Sequence, residues 1–322
     1  MPALAALYEP IAADLEKVCR IFDDELFSEL PVVNELCDRV RRYRGKMLRP
    51  ALLLLSARAC GKRTEEHLTL AAVVEMVHMA TLVHDDVLDD AEVRRKSPTI
   101  KCLEGNEAAV LLGDYLISHA FHLCSSLDSQ YAARLIGATT NTICEGELNQ
   151  VCHRGDDDLT PEQYLAIITR KTAVLTAACC RLGAYFADAD EKTVDALERY
   201  GLSVGIAFQI TDDILDIVGT EERMGKTLGR DLEKHKLTLP VIHCLREATP
   251  EINQKLRAHL RSPHPKRELL AGYLRSTDSI GYSLNAARSH VESAIQALQH
   301  LPPSEARYSL QHMAKMILER EQ

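Results

Sequence analysis

The segment AAVVEMVHMATLVHDDVLDD, at residues 71–90, is an almost entirely apolar stretch that ends in four aspartates. In an α-helix each residue turns by about 100°, so Asp85 and Asp89 lie on one face while Asp86 points elsewhere. The apolar residues before them place this pair at the edge of a buried region, where their repulsion requires a compensating cation. A hard cation that prefers oxygen ligands fits, although a solvated acidic helix end shows the same short pattern.

A second segment repeats the pattern and favours a metal site over a solvated helix end. The sequence QITDDILDI, at residues 209–217, again has two aspartates, an apolar residue, leucine and aspartate within an apolar run. The residues that share one helical stripe, at i, i+3, i+4 and i+7, are Gln209, Asp212, Asp213 and Asp216. Two such stripes facing each other would hold several Mg²⁺ ions, which take their remaining ligands from water and substrate phosphates.

The composition is that of a large globular protein. The chain has 322 residues, of which 46% are hydrophobic, and a formal net charge of −9. This length and apolar content can bury a large core. The acidic balance argues against a nucleic-acid partner, so an anionic substrate would need local basic residues and metal ions.

Cysteine usage and the apolar stretches predict a cytoplasmic protein. None of the ten cysteines has CxxC spacing, which indicates free thiols in a reducing compartment. Residues 1–25 lack the pattern of a secretory signal, and charged residues interrupt every long apolar stretch. We therefore expect no transmembrane segment.

Apolar residues recur at helical spacing along the chain, and no stretch keeps the two-residue alternation of a strand. The chain is therefore predicted to be all-α. Thr64 is a candidate N-cap for the helix that carries the first aspartates, and Thr160-Pro161 begins another helix, with Gln163 completing a capping box. No linker divides the sequence, so residues 1–322 are predicted to form a single domain.

Basic side chains flank the first aspartate segment. Lys46 and Arg49 follow Gly45 at the start of an apolar helix, a pattern that suits an anion but is also typical of a solvated turn. Arg94 and Arg95 follow the aspartates. They could simply neutralise these carboxylates, or they could bind a bridging diphosphate through bidentate hydrogen bonds.

Other candidate side chains lie further along the helices. His78 precedes Asp85 by seven residues, about 20° away in angle, so it shares the aspartate face, although most lone histidines on such helices are core groups. Lys171 enters an apolar segment, where its charge is costly without an anionic partner. Lys226 and Lys236 lie in a segment rich in glycine and lysine that is predicted to be a mobile loop.

With both aspartate segments in place, the chain resembles the trans-isoprenyl diphosphate synthases over nearly its whole length. The motifs that carry the resemblance occur in family order: GKMLRP at 45–50, HDDVLD at 84–89 followed by two arginines, LLGDYL at 111–116, GELNQ at 146–150, KTA at 171–173, FQITDDILD at 208–216 and GKTLGRDL at 225–232. A single DDxxD is common in unrelated sequences, whereas this ordered set is specific.

The resemblance implies a single large helical bundle around a deep central cavity, typically in a homodimer, and a Mg²⁺-dependent prenyltransferase that condenses isopentenyl diphosphate with an allylic diphosphate. The implied metal ligands are Asp85, Asp89 and Asp212, with Asp86, Asp213 and Asp216 as nearby or water-mediated partners. The implied allylic diphosphate ligands are Arg94, Lys171, Thr172, Gln209, Lys226 and Lys236. The implied isopentenyl diphosphate ligands are Lys46, Arg49, His78 and Arg95.

In this family the growing hydrocarbon tail enters an apolar tunnel, which a bulky residue four or five positions before the first aspartate closes early. Here Thr81 and Ala80 occupy those positions and Val77 lies deeper, and none of them is aromatic. The resemblance therefore implies a medium-to-long all-trans polyprenyl diphosphate as the product. A bulky side chain at another position, such as that of Met76 or Phe121, could instead close the tunnel. The product would then be geranylgeranyl or farnesyl diphosphate.

Three other classes of protein share parts of the pattern. A class I terpene cyclase has a first DDxxD but a different second metal motif, whereas this chain has DDILD at residues 212–216. An HD-type phosphohydrolase would explain His84-Asp85 but not the repeated aspartate segment. A non-catalytic partner subunit would be expected to lose metal ligands, and this chain keeps both sets.

Overall fold

The computed structural model describes residues 4–42, 44–95, 97–220 and 228–319. The protein is 79% helical, which confirms the all-α prediction. The first helices are α1 Leu4–Tyr8, α2 Ala12–Glu25, α3 Pro31–Arg42, α4 Leu48–Ala59, α5 Glu65–Leu88, α6 Ile100–Ser125, α7 Gln130–Cys152, α8 Pro161–Ile168, α9 Val174–Tyr185 and α10 Glu191–Val218. The later ones are α11 Arg230–Glu233, α12 Leu239–Glu247, α13 Pro250–Leu260, α14 Arg267–Ser276, α15 Ser279–Ala297 and α16 Glu305–Glu319.

The chain divides into two compact units. The first contains residues 1–140, 175–201 and 297–313, and the second contains residues 141–174, 202–296 and 314–322. Each of the five chain boundaries between them falls inside a helix, so none coincides with a linker. The single domain over residues 1–322 stays a prediction.

In the first unit, α5 is the central helix and packs against α2, α4 and α6. Its apolar residues occupy every face, as expected of a helix surrounded by protein, and residues 70–77 are at most 2% exposed. Length and composition alone would let α5 cross a membrane, but 78% of its apolar window is buried, as in a core helix. The predicted N-cap Thr64 is confirmed, and the capping box is completed by His67.

The second unit has its own apolar core, built mainly from α8, α10 and α12. Tyr164 and Ile168 of α8, Ile210 and Ile214 of α10, and Val241 of α12 are among its buried residues. The sequence prediction for the start of α8 is confirmed. The N–H of Thr160 donates to the side-chain oxygen of Gln163 at 2.8 Å, and the N–H of Gln163 donates back to the Thr160 hydroxyl at 3.2 Å.

The sequence analysis missed three local departures from regular helix. A short antiparallel hairpin joins β1 Val93–Arg94 to β2 Ser97–Pro98. Gly105 interrupts α6 with φ 85° and ψ 169°, a conformation that only glycine adopts readily. Residues Thr169–Ala173 form a π turn between α8 and α9, and such turns occur often at functional sites.

Candidate active site

The first carboxylate set lies at the end of α5. The N–H of Asp89 donates to the carbonyl of Asp85 at 2.8 Å, so the helical spacing continues through Asp89. Asp85 and Asp89 are half-buried, whereas Asp86 is 2% exposed and accepts a hydrogen bond from Nε of Arg94 at 2.7 Å. Burial raises the pKa of Asp86, with Arg94 opposing the shift and Asp89 adding to it. Asp86 thus differs from the other two carboxylates, as the spacing predicts.

The hairpin after α5 positions Arg94 and Arg95. Arg94 pairs with Asp86, so in this conformation it neutralises a carboxylate, which is the simpler of the two roles considered from the sequence. The Arg95 guanidinium lies directly against Gly45, where a Cβ atom would come within 2.4 Å of Cζ. The absence of a side chain at position 45 thus makes room for the Arg95 guanidinium in this conformation, a reason that the sequence did not suggest.

Three of the four residues assigned to isopentenyl diphosphate, Arg49, His78 and Arg95, lie close enough in the first unit to influence one another's charge. Burial lowers the pKa of His78 well below its usual range, and the charges of Arg49, Arg95 and Arg94 lower it further. The imidazole is therefore neutral at neutral pH and can exchange hydrogen bonds as donor and acceptor. Arg49 is half-buried and Lys46 is exposed. Their diphosphate-binding roles stay predictions.

Glu75 is a site residue that the sequence analysis missed. It is 2% exposed, and burial raises the pKa of its carboxyl while Arg49, Arg95 and Arg44 oppose the shift. Among the described residues, its Oε2 atom has no hydrogen-bond partner. A lone glutamate three positions before His78 in an otherwise apolar run was the available signal. This buried anion offsets the charge of the arginines around it.

The second carboxylate set lies on α10 in the second unit. Asp212 is half-buried, whereas Asp213 and Asp216 are 4% and 3% exposed. Asp213 accepts hydrogen bonds from the Tyr164 hydroxyl at 2.6 Å and from Nε2 of Gln209 at 2.7 Å. Burial, followed by the charge of Asp231, raises the pKa of Asp213 well above its usual range. The contact between Gln209 and Asp213 confirms that these two residues share one helical stripe. Nothing in the sequence pointed to Tyr164.

Lys171 and Thr172 lie on the π turn beside α10. The Thr172 hydroxyl donates to Oε1 of Gln209 at 2.9 Å, which extends the chain of hydrogen bonds that ends at Asp213. Lys171 donates to Oε1 of Gln150 at 3.0 Å and forms an ion pair with Glu147. Glu147 is therefore the anionic partner that the apolar surroundings of Lys171 required.

Of the two lysines predicted to lie in a mobile loop, the structure describes only Lys236. Lys236 is half-buried, lines an open pocket together with Asp231 and His235, and donates its backbone N–H to the Asp231 carbonyl at 2.8 Å. It lies on the segment that follows α11, within the described residues. Lys226 lies outside the described residues, so its role stays a prediction.

The aspartates fit a hard divalent cation. Each set offers only carboxylate oxygens, the donors that Mg²⁺ and Ca²⁺ prefer. Asp85, Asp89 and Asp212 are half-buried, so part of each carboxylate faces water. Asp86, Asp213 and Asp216 are more deeply buried and accept hydrogen bonds from protein donors, the last from the N–H of Asp231 at 3.3 Å. Burial therefore separates these two groups of aspartates, and their roles as direct and indirect metal ligands stay predictions.

The residues assigned to product length lie on the buried part of α5. Val77 and Ala80 are fully buried, and Thr81 is half-buried with its hydroxyl bonded to the His78 carbonyl at 2.7 Å. Of the two bulky residues considered as stoppers, Met76 is fully buried, whereas Phe121 is 37% exposed. Phe121 thus lies partly at the surface of this unit, and the residue that limits the product stays a prediction.

Comparison with known proteins gives consistent matches over the whole chain. A family model described as "Polyprenyl synthetase" matches residues 30–274. The sequence is 34% identical over 321 residues to octaprenyl diphosphate synthase of Escherichia coli (strain K12), covering 99% of each chain. The structure resembles that of a decaprenyl diphosphate synthase from Rhodobacter capsulatus, with TM-score 0.94, 32% identity and coverage of 99% of this chain and 100% of that one.

A further structural relative was solved with ligands. It is the polyprenyl synthase from Caulobacter crescentus CB15, complexed with calcium and isoprenyl diphosphate. Its TM-score is 0.92, with 31% identity and coverage of 98% of this chain and 97% of that one.

The close approach of α7 to the π turn gives a test of the Lys171 position. A Cβ atom at Gly146 would lie 2.6 Å from the backbone nitrogen of Lys171. We expect Gly146→Ala to lower the free energy of unfolding by about 1–3 kcal/mol, since backbone must move to relieve the overlap. Denaturant unfolding measures the change.

Gly137 of the same helix is the matched control. A Cβ atom there meets nothing within 4 Å, so Gly137→Ala is expected to stabilise the protein by about 0.5–1 kcal/mol. If both variants were equally stable, the close packing at the π turn would be wrong.

Proposed function

Because the chain belongs to the polyprenyl synthetase family, we propose that it condenses isopentenyl diphosphate with an allylic diphosphate to make a medium- or long-chain all-trans polyprenyl diphosphate. The observation that carries this proposal is the pair of oxygen-only carboxylate sets, each accompanied by basic side chains. The end-to-end similarity to an octaprenyl diphosphate synthase supports the chain-length class. Because the chemistry of this family depends on metal ions, we assign the carboxylates to metal binding.

We propose Mg²⁺ as the cation, with Asp85 and Asp89 as its ligands in the first carboxylate set and Asp212 in the second. When bound, it would offset the negative charge of the allylic diphosphate as that group leaves. In the proposed complex the Lys171 ammonium donates to the same diphosphate, and the Thr172 hydroxyl, whose one proton is donated to Oε1 of Gln209 in this conformation, turns towards it. Arg49 and Arg95 hold the second diphosphate beside the neutral His78.

The reaction balances without a protein base. The allylic carbon–oxygen bond breaks, and its electron pair leaves with the diphosphate. The double bond of isopentenyl diphosphate attacks the allylic cation and forms the new carbon–carbon bond. Loss of one proton to the departing diphosphate then restores a double bond. The protein contributes position and fixed positive charge, which stabilise the separated charges.

The apolar side chains on α6 support a homodimer. Val110, Leu111 and Phe121 are 41%, 61% and 37% exposed, an uncommon grouping on one helix of a protein that works alone. We propose that this surface meets a second copy of the chain. Sedimentation velocity should give a dimer for the wild type and a monomer for Leu111→Lys, and a wild-type monomer at micromolar concentration would contradict the proposal.

The predicted cytoplasmic location is retained as a proposal. All ten cysteines are free thiols, and burial raises the pKa of Cys180 to about 12, so that thiol is protonated and unreactive. Free thiols suit a reducing compartment. Fractionation of cells that express the chain tests the location, and recovery outside the cytoplasm would contradict it.

The metal assignment predicts which aspartates control turnover. Asp85→Ala and Asp212→Ala should each lower turnover by at least about 100-fold, since the lost charge compensation amounts to several kcal/mol. The fold should survive, because both residues are half-buried. Incorporation of labelled isopentenyl diphosphate with saturating Mg²⁺ is the measurement, and thermal unfolding checks the fold.

Asp128→Ala is the control, because Asp128 is exposed and lies outside both carboxylate sets. Its turnover should match the wild type. Near-normal turnover in Asp85→Ala or Asp212→Ala would show that the metal ligands are wrong. Incorporation that occurs with an allylic primer and stops without it distinguishes a synthase from a phosphohydrolase or an inactive partner subunit, neither of which lengthens a primer.

The buried face of α5 predicts the product length. Ala80→Phe should shorten the product, because a ring would fill space that a methyl group now occupies about 7.5 Å along the helix from Asp85. Val77→Phe, about 4.5 Å further along the helix, should stop the product at a greater length. Chromatography of the dephosphorylated products measures both. An unchanged product from Ala80→Phe would place the end of the tunnel elsewhere.

A further inference from the structure

Glu25, His119 and His122 form a cluster that takes no part in the site described above. Glu25 is the last residue of α2, and the two histidines lie one turn apart on α6. Their Nδ1 atoms are 2.9 and 2.8 Å from the same carboxylate oxygen, Oε1 of Glu25. One ligand atom from each residue lies within 4.8 Å of the others. Two imidazoles and a carboxylate are therefore directed at one point.

The spacing of these atoms fits a tetrahedral metal ion. With Zn²⁺ at about 2.0–2.1 Å from nitrogen and oxygen, neighbouring ligand atoms stand about 3.3 Å apart. The two contacts from Nδ1 to Oε1, at 2.9 and 2.8 Å, would each lengthen by about 0.5 Å to match this geometry. Among the residues that the structure describes, no lysine or arginine forms an ion pair with Glu25, so its charge faces the imidazoles alone.

The surroundings hold the three ligands in place. Phe22 and Leu26, on either side of Glu25, are at most 1% exposed, and Ala120, between the two histidines, is fully buried, so both backbones are anchored in the core. The Tyr115 ring lies 4.2 Å from the His119 ring, centroid to centroid, and limits its rotation. Ligands on rigid elements with supported side chains make a pre-organised metal site.

The burial of the cluster leaves one side open. The side chains of Glu25 and His119 are 15% and 24% exposed, whereas that of His122 is 76% exposed. A partly desolvated carboxylate gains from a cation, and in the single chain the exposed side of His122 leaves room for a water molecule as fourth ligand.

The cluster is separate from the first aspartates in position and in chemistry. Nε2 of His84 lies 3.1 Å from the Val110 carbonyl, so the aspartate end of α5 lies beside that part of α6. His119 and His122 are about 13 and 18 Å further along α6. A set with two imidazoles favours Zn²⁺, whereas the carboxylate sets favour Mg²⁺.

We propose that Glu25, His119 and His122 bind one Zn²⁺ ion, which joins the end of α2 to α6. Titration calorimetry of the metal-stripped full chain with ZnCl₂, in excess Mg²⁺ to occupy the aspartates, tests it. The wild type should bind one ion per chain with Kd of about 10 µM or tighter. Loss of one imidazole ligand in His119→Asn or His122→Asn should weaken binding by at least about tenfold.

His264→Asn is the control, because His264 is exposed on a different part of the chain. His122→Asn is the decisive variant, since so exposed a side chain is not needed for folding. Titration with Co²⁺ gives an independent readout, because imidazole ligands produce visible absorption bands and cysteine thiolates add strong near-ultraviolet bands. Binding that both histidine variants leave unchanged, or a Co²⁺ spectrum dominated by thiolates, would overturn the proposal.

Discussion

The cost of removing ionised side chains from water is the constraint on which this structure depends. α5 is apolar on every face, yet it carries Glu75 in its buried middle and Asp85 and Asp86 in its last turn, with Asp89 as its C-cap. Charges in such surroundings persist only when opposite charges or hydrogen bonds offset the lost hydration. The arginines around Glu75 and Arg94 beside Asp86 provide that compensation in the first unit. A site for a highly charged substrate can therefore exist inside an acidic protein.

The same constraint sorts the aspartates by function. A carboxylate that is fully buried and already bonded to Tyr164 and Gln209, as Asp213 is, serves as a fixed anchor for the residues around it. A half-buried carboxylate such as Asp85 or Asp212 keeps part of its surface in water, the side from which we expect a cation to bind. One sequence motif thus contains two kinds of residue. The difference arises from burial, which the spacing of the motif does not reveal by itself.

The sequence predicted well those features that depend on residues close together in the chain. The cap at Thr64, the capping box at Thr160 and the stripe that joins Gln209 to Asp213 depend on spacing within one helix. What it could not predict depended on contacts between distant segments. Gly45 was interpreted as flexible backbone for an anion, but its small size makes room for Arg95, fifty residues later in the chain. The π turn at Thr169–Ala173 likewise has no local signature.

The N-terminal cap of α5 makes the stability of the fold depend on pH. The N–H of Thr64 donates to Nδ1 of His67 at 2.9 Å, so Nδ1 carries a lone pair and the ring proton resides on Nε2, which donates to the Gly183 carbonyl at 3.0 Å. Only the neutral tautomer satisfies both partners, and burial lowers the pKa of His67 accordingly. Its contribution to stability is complete above the unfolded value of about 6.5 and is lost as the pH falls below it. The N-terminal cap of the helix that carries the first aspartates is therefore weakened by acid.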